Sequence, residues 1–428
     1  AIAALDCVDY VAINSWPMAV EAVKLIRPDF YVKGPDYSDP NNDRSGGILL
    51  EEAAIKSVGG KIAFTDDITF SASSLLNKHF QVFPPEVKEY LESFSSRYSS
   101  FDVLQYLENA RPLKVLVIGE TIIDEYMYCE TLGKTGKDPV LATRQLHSEK
   151  FAGGIIPVAN NVSAFCENVG LLSFLGAVDS QEVFVRGRLD AHVDPTFLYM
   201  DGEAPTIVKR RFVESYPFQK LFELYVMDDA EGSESQSSSL CERLENLLPQ
   251  FDVAVVLDYG HGMLSPEAVE ILTKKAKLLA VNTQVNAGNR GFNTISKYPR
   301  ADFVCVSENE IRLDARSRRS DLREIASQIL AKLECENVLV TRGAGGCLAY
   351  SQSDGFFEIP ALAMQVVDRM GAGDAVFSVA SLYVAQGAPI EMVGFVGNAV
   401  GAEAVSIVGH RTSIQHLPLF RHIETLLK

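Results

Sequence analysis

Short apolar runs alternate with helical patterns from Lys114 onward, and this alternation constrains the fold more than any other feature. The runs are KVLVIG (114–119), LLSFLGAV (171–178), FDVAVVLDYG (251–260), KLLAVNT (277–283), DFVCVSE (302–308) and NVLVTRG (337–343). Continuous apolar strands separated by helices are typical of a parallel sheet that is buried on both faces. The sequence therefore predicts an α/β fold with helices on each side of a mainly parallel sheet.

Two other stretches alternate polar and apolar residues. They are PVLATRQLHSEKF (139–151) and PTIVKRRFVE (205–214). A period of two residues is typical of strands with one exposed face. These stretches predict a small second sheet outside the main one.

Composition narrows the class of protein. The chain has 428 residues, of which 47% are hydrophobic and 22% charged, as in globular proteins with two or more domains. The formal net charge of −17 argues against a nucleic-acid-binding surface, because phosphate backbones need clustered Lys and Arg. No apolar run reaches membrane-spanning length, and the seven cysteines lack CxxC spacing. We expect a cytoplasmic protein with reduced thiols and with neither nucleic-acid nor membrane partners.

The stretch DRMGAGDAVF, from Asp368 to Phe377, places two glycines and a carboxylate before an apolar helical run. Gly371 and Gly373 lack side chains, so backbone amides there can approach an anion at a helix N-terminus. Asp374 falls in the first turn, where its carboxylate can accept the proton of a hydroxyl. A base beside an anion-binding turn is the minimal apparatus for phosphoryl transfer to an alcohol. The alternative is a tight turn that Asp374 merely caps.

This stretch resembles the Asp-Thr-Thr-Gly-Ala-Gly-Asp signature of the ribokinase-like (phosphofructokinase B) carbohydrate kinases. The resemblance implies a three-layer α/β/α sandwich over residues 112–428, with a small β lid that covers the sugar and often forms a dimer contact. It also implies ATP and Mg²⁺ as cofactors, and it allows a monovalent cation. Asp374 would be the general base, and the backbone of Gly371, Ala372 and Gly373 would form the anion hole.

Two segments carry sugar-binding residues that the resemblance implies. GETIIDEY places Asp124 after a strand and a turn, where family members bind sugar hydroxyls; a helix N-cap is the alternative. GGIIPVANNVSAF resembles the family signature Gly-Gly-x-x-Asn-x-Ala through Gly153 and Gly154. Pro157, however, stands at the position of the sugar-binding Asn, and Asn160 lies one helical turn further on.

A third segment, VVLDYGHGMLS (255–265), resembles the DYGKG segment of heptose-phosphate kinases. Asp258 would face the substrate from the end of a strand, and Gly260 would allow close approach. His261 replaces the usual Lys, and we expect it to face solvent.

Basic residues of the predicted lid are candidates for binding a phosphate group on the sugar. Lys209 and Arg211 share one face of a strand, and Arg210 points to the other face. The alternative is an exposed edge strand that uses charge to avoid aggregation.

On the nucleotide side, further residues resemble those of the family. They are Ser307 and Glu310 of SENE, Thr341 and Gly343 of TRG, and Asn398 of GNAVGAEAVSIVG. Glu310 would hold Mg²⁺ through water, and Ser307 replaces the family's Asn. Two other departures are Gln284, where related heptose kinases carry Lys, and Arg369, in place of Thr.

The first residues predict a separate unit over 1–83, followed by a helical linker over 84–111. AVEAVKLIRPDFYVKGPDYS (19–38) has a helix, turn and strand pattern, which EEAAIKSVGGKIAFTDD (51–67) repeats. These segments resemble the second half of a Rossmann-like cytidylyltransferase domain. Ser71–Ser74 could hold a nucleotide phosphate or simply cap a helix. The HxGH motif of such enzymes does not occur before Lys33, so we expect this chain alone to make no nucleotide-sugar.

The organisation as a whole resembles bifunctional heptose-phosphate kinase/nucleotidyltransferases, although in those the kinase usually comes first. We therefore expect ATP-dependent phosphorylation of a sugar or sugar phosphate, with a heptose phosphate favoured. We also expect a homodimer formed through the lid strands. The alternative is a protein linked to nucleotidyl transfer, whose kinase fold is a non-catalytic binding or assembly module.

Overall fold

The computed structural model describes residues 8–14, 16, 18–34, 47–65, 83–200, 204–216, 218–228 and 234–427. The chain divides into two compact units. One contains residues 1–105 and 415–428, and the other contains residues 106–414. No helix among the described residues is long and apolar enough to cross a membrane.

The first unit contains two helix-strand repeats. They are α1 (Val20–Ile26) with β1 (Phe30–Lys33), and α2 (Gly47–Ser57) with β2 (Lys61–Phe64). The two strands pair in parallel, and Val23, Ala54 and Ile55 form a small core beneath them. The repeat predicted from the sequence is therefore confirmed, whereas Ser71–Ser74 lies outside the described residues.

Two helices cover most of the predicted linker. They are α3 (Pro85–Ser95) and α4 (Ser100–Asn109). In α3, the apolar residues Val87, Leu91 and Phe94 recur on one face and are buried, as their spacing predicts. A further helix, over His416–Leu426, belongs to the same unit of the chain as α3.

The second unit is built on a large sheet whose parallel strands are the predicted apolar runs. These strands are β3 (Lys114–Gly119), β6 (Asn168–Leu175), β11 (Val253–Asp258), β12 (Leu279–Thr283), β13 (Phe303–Ser307) and β14 (Asn337–Thr341). Two antiparallel strands, β15 (Cys347–Ser351) and β16 (Gly355–Ile359), extend one side of the sheet. The order is β16-β15-β14-β13-β12-β11-β3-β6-β7, where β7 is Val193–Asp194, and β8 (Leu198–Met200) pairs with β6.

Helices pack on both faces of this sheet. They are α5 (Ile155–Ser163), α6 (Glu182–Arg186), α7 (Glu234–Leu247), α8 (Pro266–Lys275), α9 (Glu308–Asp314), α10 (Leu322–Lys332), α11 (Ala372–Ala385) and α12 (Ile390–Ala404). Successive residues of β13 face opposite layers. Phe303 stacks on Phe377 of α11 with ring centroids 6.1 Å apart, whereas Val304 joins the core on the other face with Ile325 of α10. The predicted three-layer arrangement is confirmed.

A separate sheet of four strands, the lid sheet, has the order β10-β9-β4-β5. Its strands are β4 (Thr121–Lys134), β5 (Leu141–Gly154), β9 (Ile207–Glu214) and β10 (Gln219–Val226). The two strands predicted from alternation are β5 and β9. Tyr126, Tyr128, Phe151 and Val213 form its own small core. Because β9 lies between β10 and β4, the alternative of an exposed edge strand is wrong for the segment that carries Lys209.

Candidate active site

The site lies at the carboxyl ends of the parallel strands, where the chain changes direction across the sheet. From β3 the chain passes to β6 on one side and later to β11 on the other. Such a switch point leaves a crevice at the strand ends, which is the usual binding place in sheets of this kind. Glu120 follows β3 directly, and Asp258 ends β11.

Asp374 lies in the first turn of α11, beside this crevice, and is 7% exposed. The hydroxyl of Tyr259 donates a hydrogen bond to Oδ2 of Asp374 at 3.2 Å, and Nε2 of Gln284 donates to Oδ1. Burial raises the pKa of Asp374 to about 7. A carboxyl group with such a pKa can accept and return a proton near neutral pH.

The turn before α11 can bind an anion. Amides in the first turn of a helix have no intrahelical acceptor, and those of Gly373 and Asp374 lie there. Gly371 has φ +72°, and a β-carbon on it would lie 2.1 Å from Cε1 of His410, so only glycine fits. Gly373, in contrast, has no atom within 4 Å of its would-be β-carbon, which leaves space beside its amide.

The lid sheet contributes Asp124, which lies within β4 rather than after a turn, so the alternative of a helix N-cap is wrong. Its Oδ1 accepts a hydrogen bond from Nη1 of Arg211, and its Oδ2 is 3.7 Å from Nε2 of His410. A β-carbon on Gly153 would lie 2.2 Å from Oδ2 of Asp124, which explains the glycine at that position of β5.

Lys209 and Arg211 project from the buried face of β9, whereas Arg210 is partly exposed and pairs with Glu125 at 2.6 Å. Arg211 is neutralised by Asp124 and by Glu223, whose Oε1 is 2.9 Å from its Nε.

Lys209 differs from its neighbour Arg211 in having no carboxylate partner in the described part of the chain. It lies opposite Asp124 in the strand register and is 8% exposed, yet its ammonium forms no ion pair with any described residue. The ammonium lies 5.3 Å from the ring centre of Tyr225. Burial lowers the pKa of Lys209, against the attraction of Asp124. A buried cation without a carboxylate partner is suited to an anionic group of a ligand.

Asp258 is 1% exposed and is held by protein groups. Its Oδ2 accepts a hydrogen bond from Tyr298 at 2.7 Å and pairs with Lys297, while its Oδ1 accepts from the amide of Gly260 at 3.1 Å. A β-carbon on Gly260 would lie 2.3 Å from Nδ2 of Asn289. These contacts fix the carboxylate of Asp258 and the backbone of Gly260 at the end of β11.

His261 does not face solvent as expected. Its amide donates to Oε1 of Glu120 at 3.0 Å, and its Nε2 is 3.4 Å from Nδ2 of Asn286. Burial, together with the charge of Lys209, lowers the pKa of His261 to about 4, so its ring is neutral at pH 7.

The residues expected on the nucleotide side lie at the ends of β13 and β14 and on α12. Ser307 and Glu310 form a capping box at the start of α9: Ser307 Oγ accepts from the Glu310 amide, and Glu310 Oε2 accepts from the Ser307 amide at 2.7 Å. Glu310 Oε1 also accepts from the amide of Val285 at 3.2 Å, and burial raises its pKa. Thr341 ends β14, and Gly343 follows with φ +56° and open space around it.

Asn398, on α12, donates to the carbonyl of Gly394 at 3.3 Å and lies 3.0 Å from the sulfur of Cys347. It therefore bridges α12 and β15.

Asn160 was predicted to bind substrate, and in the structure its side-chain amide is engaged by the backbone of another segment. Its Nδ2 donates to the carbonyl of Arg188 at 2.8 Å, and its Oδ1 accepts from the amide of Asp190 at 2.9 Å. The side-chain amide thus holds the segment after α6 and contacts none of the site residues. Gly154, by contrast, lies beside Glu120. It is the N-cap of α5 and has φ +58°, and a β-carbon on it would lie 2.3 Å from the carbonyl oxygen of Glu120.

Three residues of the site were missed from the sequence. Glu120 is fully buried, and its carboxylate accepts hydrogen bonds from the backbone amides of Tyr259 and His261. Burial and the charge of Asp258 raise the pKa of Glu120 to about 7. Its position directly after the first apolar strand was a usable signal. Tyr259 also ends a predicted strand. His410 lies far along the chain, and nothing in the sequence pattern singles it out.

A magnesium site made of protein ligands alone is not found among the described residues. Mg²⁺ in phosphoryl-transfer sites usually keeps several waters and binds one or two carboxylates together with the nucleotide phosphates. The buried carboxylate of Glu310, at the start of α9 and close enough for its charge to raise the pKa of Asp374, fits that kind of site.

Comparison with known proteins agrees with this geometry. The profile of the pfkB family carbohydrate kinases matches residues 112–417. Two curated relatives are each named "Bifunctional protein HldE". The one from Desulfatibacillum aliphaticivorans is 28% identical over 319 residues, covering 73% of this chain and 63% of that protein. The one from Koribacter versatilis is 30% identical over 302 residues, covering 69% and 60%. The chain thus spans about 60% of the length of these relatives.

Solved structures show the same fold. A ribokinase from Thermotoga maritima aligns with a TM-score of 0.56 at 18% identity, over 73% of this chain and 99% of that one. Phosphofructokinase-2 from Escherichia coli, in complex with potassium, aligns with a TM-score of 0.59 at 14% identity, over 74% and 100%. With a family match over most of its length and a ribokinase-like fold around a buried aspartate, the chain belongs to the pfkB family of carbohydrate kinases.

Proposed function

We propose that this kinase transfers the terminal phosphoryl group of ATP to a hydroxyl group of a phosphorylated sugar, with Asp374 as the general base. One observation carries the proposal: a buried carboxyl group with a pKa near 7 lies in the first turn of α11, beside amides that have no intrahelical acceptor. The same few residues thus supply the two requirements of the reaction. These are a proton acceptor for the hydroxyl and donors for the charge on the moving group.

In this mechanism Asp374 takes the proton of the acceptor hydroxyl as the hydroxyl oxygen attacks the γ-phosphorus of ATP. The bond from that phosphorus to the β,γ-bridging oxygen breaks, and ADP leaves. The amides of the Gly371–Gly373 turn, including that of Ala372, stabilise the charge on the transferring phosphoryl oxygens. Mg²⁺ would supply charge neutralisation of the ATP phosphates, and Glu310 would hold it through water. In-line transfer of this kind relies on positioning and electrostatics more than on covalent chemistry.

The nucleotide would lie along the ends of β13 and β14. Thr341 and Gly343 would contact the phosphates, with Ser307 shaping the turn that carries Glu310. Asn398 on α12 would border the base. The open space around Gly343 supports this arrangement, because a ligand can approach the backbone there.

Lys209 favours a sugar that already carries a phosphate group. A charge-assisted contact is roughly twice as strong as a neutral hydrogen bond of about 0.5–1.5 kcal/mol. Pro157 and the engaged amide of Asn160 leave fewer neutral contacts for hydroxyl groups than the family pattern would give. Asp124 has the geometry to orient hydroxyls, with Arg211 and His410 holding its carboxylate. The resemblance of residues 255–265 to heptose-phosphate kinases makes a heptose phosphate the favoured substrate.

The lid sheet also supports a homodimer. Phe222 stacks on Phe212 with ring centroids 4.4 Å apart, and Phe222 and Leu224 of β10 are 51% and 43% exposed. An apolar patch on a projecting sheet favours a contact with a second copy.

Measuring ADP release with a panel of sugars and sugar phosphates tests the proposed reaction. We expect turnover of at least one phosphorylated sugar, with a heptose phosphate among the best, and slower turnover of free pentoses and hexoses. Failure with every acceptor at high enzyme concentration would favour the non-catalytic alternative.

A further inference from the structure

Tyr259 is fixed at three points around the candidate active site. It follows β11 directly and is 4% exposed. Its amide donates to Oε2 of Glu120 at 3.1 Å, and its hydroxyl donates to Oδ2 of Asp374 at 3.2 Å. Its carbonyl accepts hydrogen bonds from Nδ2 of Asn286 at 2.9 Å and of Asn289 at 2.7 Å. The ring thus spans the distance between the end of β11 and the first turn of α11.

We propose that Tyr259 is a positioning residue that orients the carboxylate of Asp374 and sets the pH range in which it acts as a base. The inference rests on the proposed role of Asp374. It adds a residue, located just after β11, that orients the carboxylate of Asp374 before any substrate binds.

The surroundings of Asp374 explain why the hydrogen bond from Tyr259 has a large effect on the pKa of Asp374. Burial is the main cause that raises its pKa, and the charges of Glu310 on α9 and Asp124 on β4 raise it further. The hydroxyl of Tyr259 and the charge of Lys209 on β9 act in the opposite direction. The charge of Asp374 also acts on Cys305 of β13, whose pKa is raised mainly by burial, so that its thiol stays protonated.

Gln284 completes the contacts of the carboxylate, with its Nε2 donating to Oδ1. Its backbone is anchored, since its amide donates to the carbonyl of Asp258 at 2.9 Å. The amide side chain is neutral and can move aside when a hydroxyl group approaches Oδ1. The tyrosine bond to Oδ2 can remain in place during that exchange, which suits a permanent positioning role.

Replacing the hydroxyl tests the role directly. Tyr259→Phe removes one hydrogen bond to the charged form of Asp374, so the pKa of Asp374 should rise by about one pH unit. The acid limb of the kcat profile should move upward by the same amount, and kcat on the alkaline plateau should fall about tenfold because the base is less well oriented. The KM for ATP should stay near its wild-type value.

Tyr298→Phe is a matched control. Tyr298 is also fully buried and also donates its hydroxyl to a carboxylate, but that carboxylate is Asp258. This variant should leave the acid limb at its wild-type position, whatever it does to substrate affinity. An unmoved acid limb in Tyr259→Phe, or an equal movement in both variants, would overturn the proposal.

A direct titration of the Asp374 carboxyl group tests the proposal even if a variant has too little activity for a pH profile. The carboxyl carbon of Asp374 can be followed by NMR in full-length protein labelled at aspartate, and assigned by its absence in Asp374→Asn. The folded state of each variant is verified by its melting transition. An unchanged pKa of Asp374 in Tyr259→Phe contradicts the inference even if Asp374 is the base. Wild-type turnover by Asp374→Asn would instead contradict the proposed function.

Discussion

Asp374, the proposed general base, illustrates at the residue scale how a buried carboxylate opposes the stability of its own fold. Burial raises the pKa of this carboxyl from 3.8 to about 7. The folded protein therefore binds the proton more tightly than the unfolded chain does. The resulting stabilisation is complete below about pH 4 and is lost as the pH rises through about 7.

Asp374→Asn should consequently stabilise the protein at alkaline pH. Asparagine keeps the size of the side chain and has no charge to bury, so we expect Tm to increase by roughly 2 °C or more at pH 8.5. The gain should shrink near pH 5, where the wild-type carboxyl is protonated in the folded state. Calorimetry of both proteins at pH 5 and pH 8.5 measures the difference in Tm at each pH. A loss of stability at pH 8.5 would contradict the stated environment of Asp374.

Lys209 offers a second prediction at this scale, about the substrate. Lys209→Ala and Arg211→Ala should raise the KM for a sugar phosphate about tenfold or more, because a charge-assisted contact or its support is lost. Arg210→Ala is the control on the same strand, since Arg210 lies on the other face and pairs with Glu125. Steady-state kinetics with each variant decides the matter. Equal small effects from all three, or faster turnover of ribose than of any sugar phosphate, would contradict the assignment of a phosphorylated substrate.

Individual residues were predictable where their chemistry depends on the local chain. The glycine turn before Asp374 is a local motif, and the alternation on β9 correctly put Lys209 and Arg211 on one face. Glu120 and His410 act through contacts with residues far along the chain, which no local pattern records. The partners of Asn160 were not predictable for the same reason, because its contacts with Arg188 and Asp190 depend on tertiary packing.

The lid sheet is the element on which the proposed substrate binding and the proposed dimer depend. It brings Asp124 and Lys209 into register on adjacent parallel strands, and its strand β10 exposes apolar side chains. One sheet thus has a buried face with charged side chains, proposed to meet the substrate, and a face with exposed apolar side chains.

Phe222→Glu should weaken the proposed dimer. The introduced charge would be buried at a contact through the lid, so the mass in solution should shift toward the monomer. Phe292→Glu is the control, because Phe292 is 90% exposed and lies in the loop after β12. Light scattering over a concentration series measures the state of each variant. A wild-type protein that is monomeric throughout, or a dimer unaffected by Phe222→Glu, would contradict the proposal.

At the element scale, the strands of the large sheet were predictable because burial on both faces requires a continuous run of apolar residues. Strand β4 was not, since its sequence TIIDEYMYCETLGK carries polar groups that are satisfied by the lid and the site. The Ser-rich composition of EGSESQSSSL (231–240) predicts an exposed loop, but the residues from Glu234 onward form the start of α7, where Leu240 and Leu244 bury an apolar face. Tertiary packing outweighed local propensity in both elements.

At the scale of the whole molecule, the kinase fold occupies the larger unit, residues 106–414, which nearly coincides with the family match over 112–417. Every residue proposed for catalysis or binding lies in that unit. The parallel strands of the N-terminal unit agree with the predicted pattern, and its likeness to a cytidylyltransferase stays a prediction. The account of function therefore depends on one crevice and one buried carboxylate.

Turnover by Asp374→Asn is the most direct measurement of that account. ADP release should be compared for wild-type and variant protein at saturating ATP and sugar phosphate, with ATP affinity measured separately by calorimetry. General-base catalysis commonly contributes about 10²–10⁴-fold, so the variant should lose at least about 100-fold in kcat. Its ATP affinity and folded state should remain near wild type. A variant that keeps more than about a tenth of wild-type turnover would contradict the assignment of Asp374 as the base.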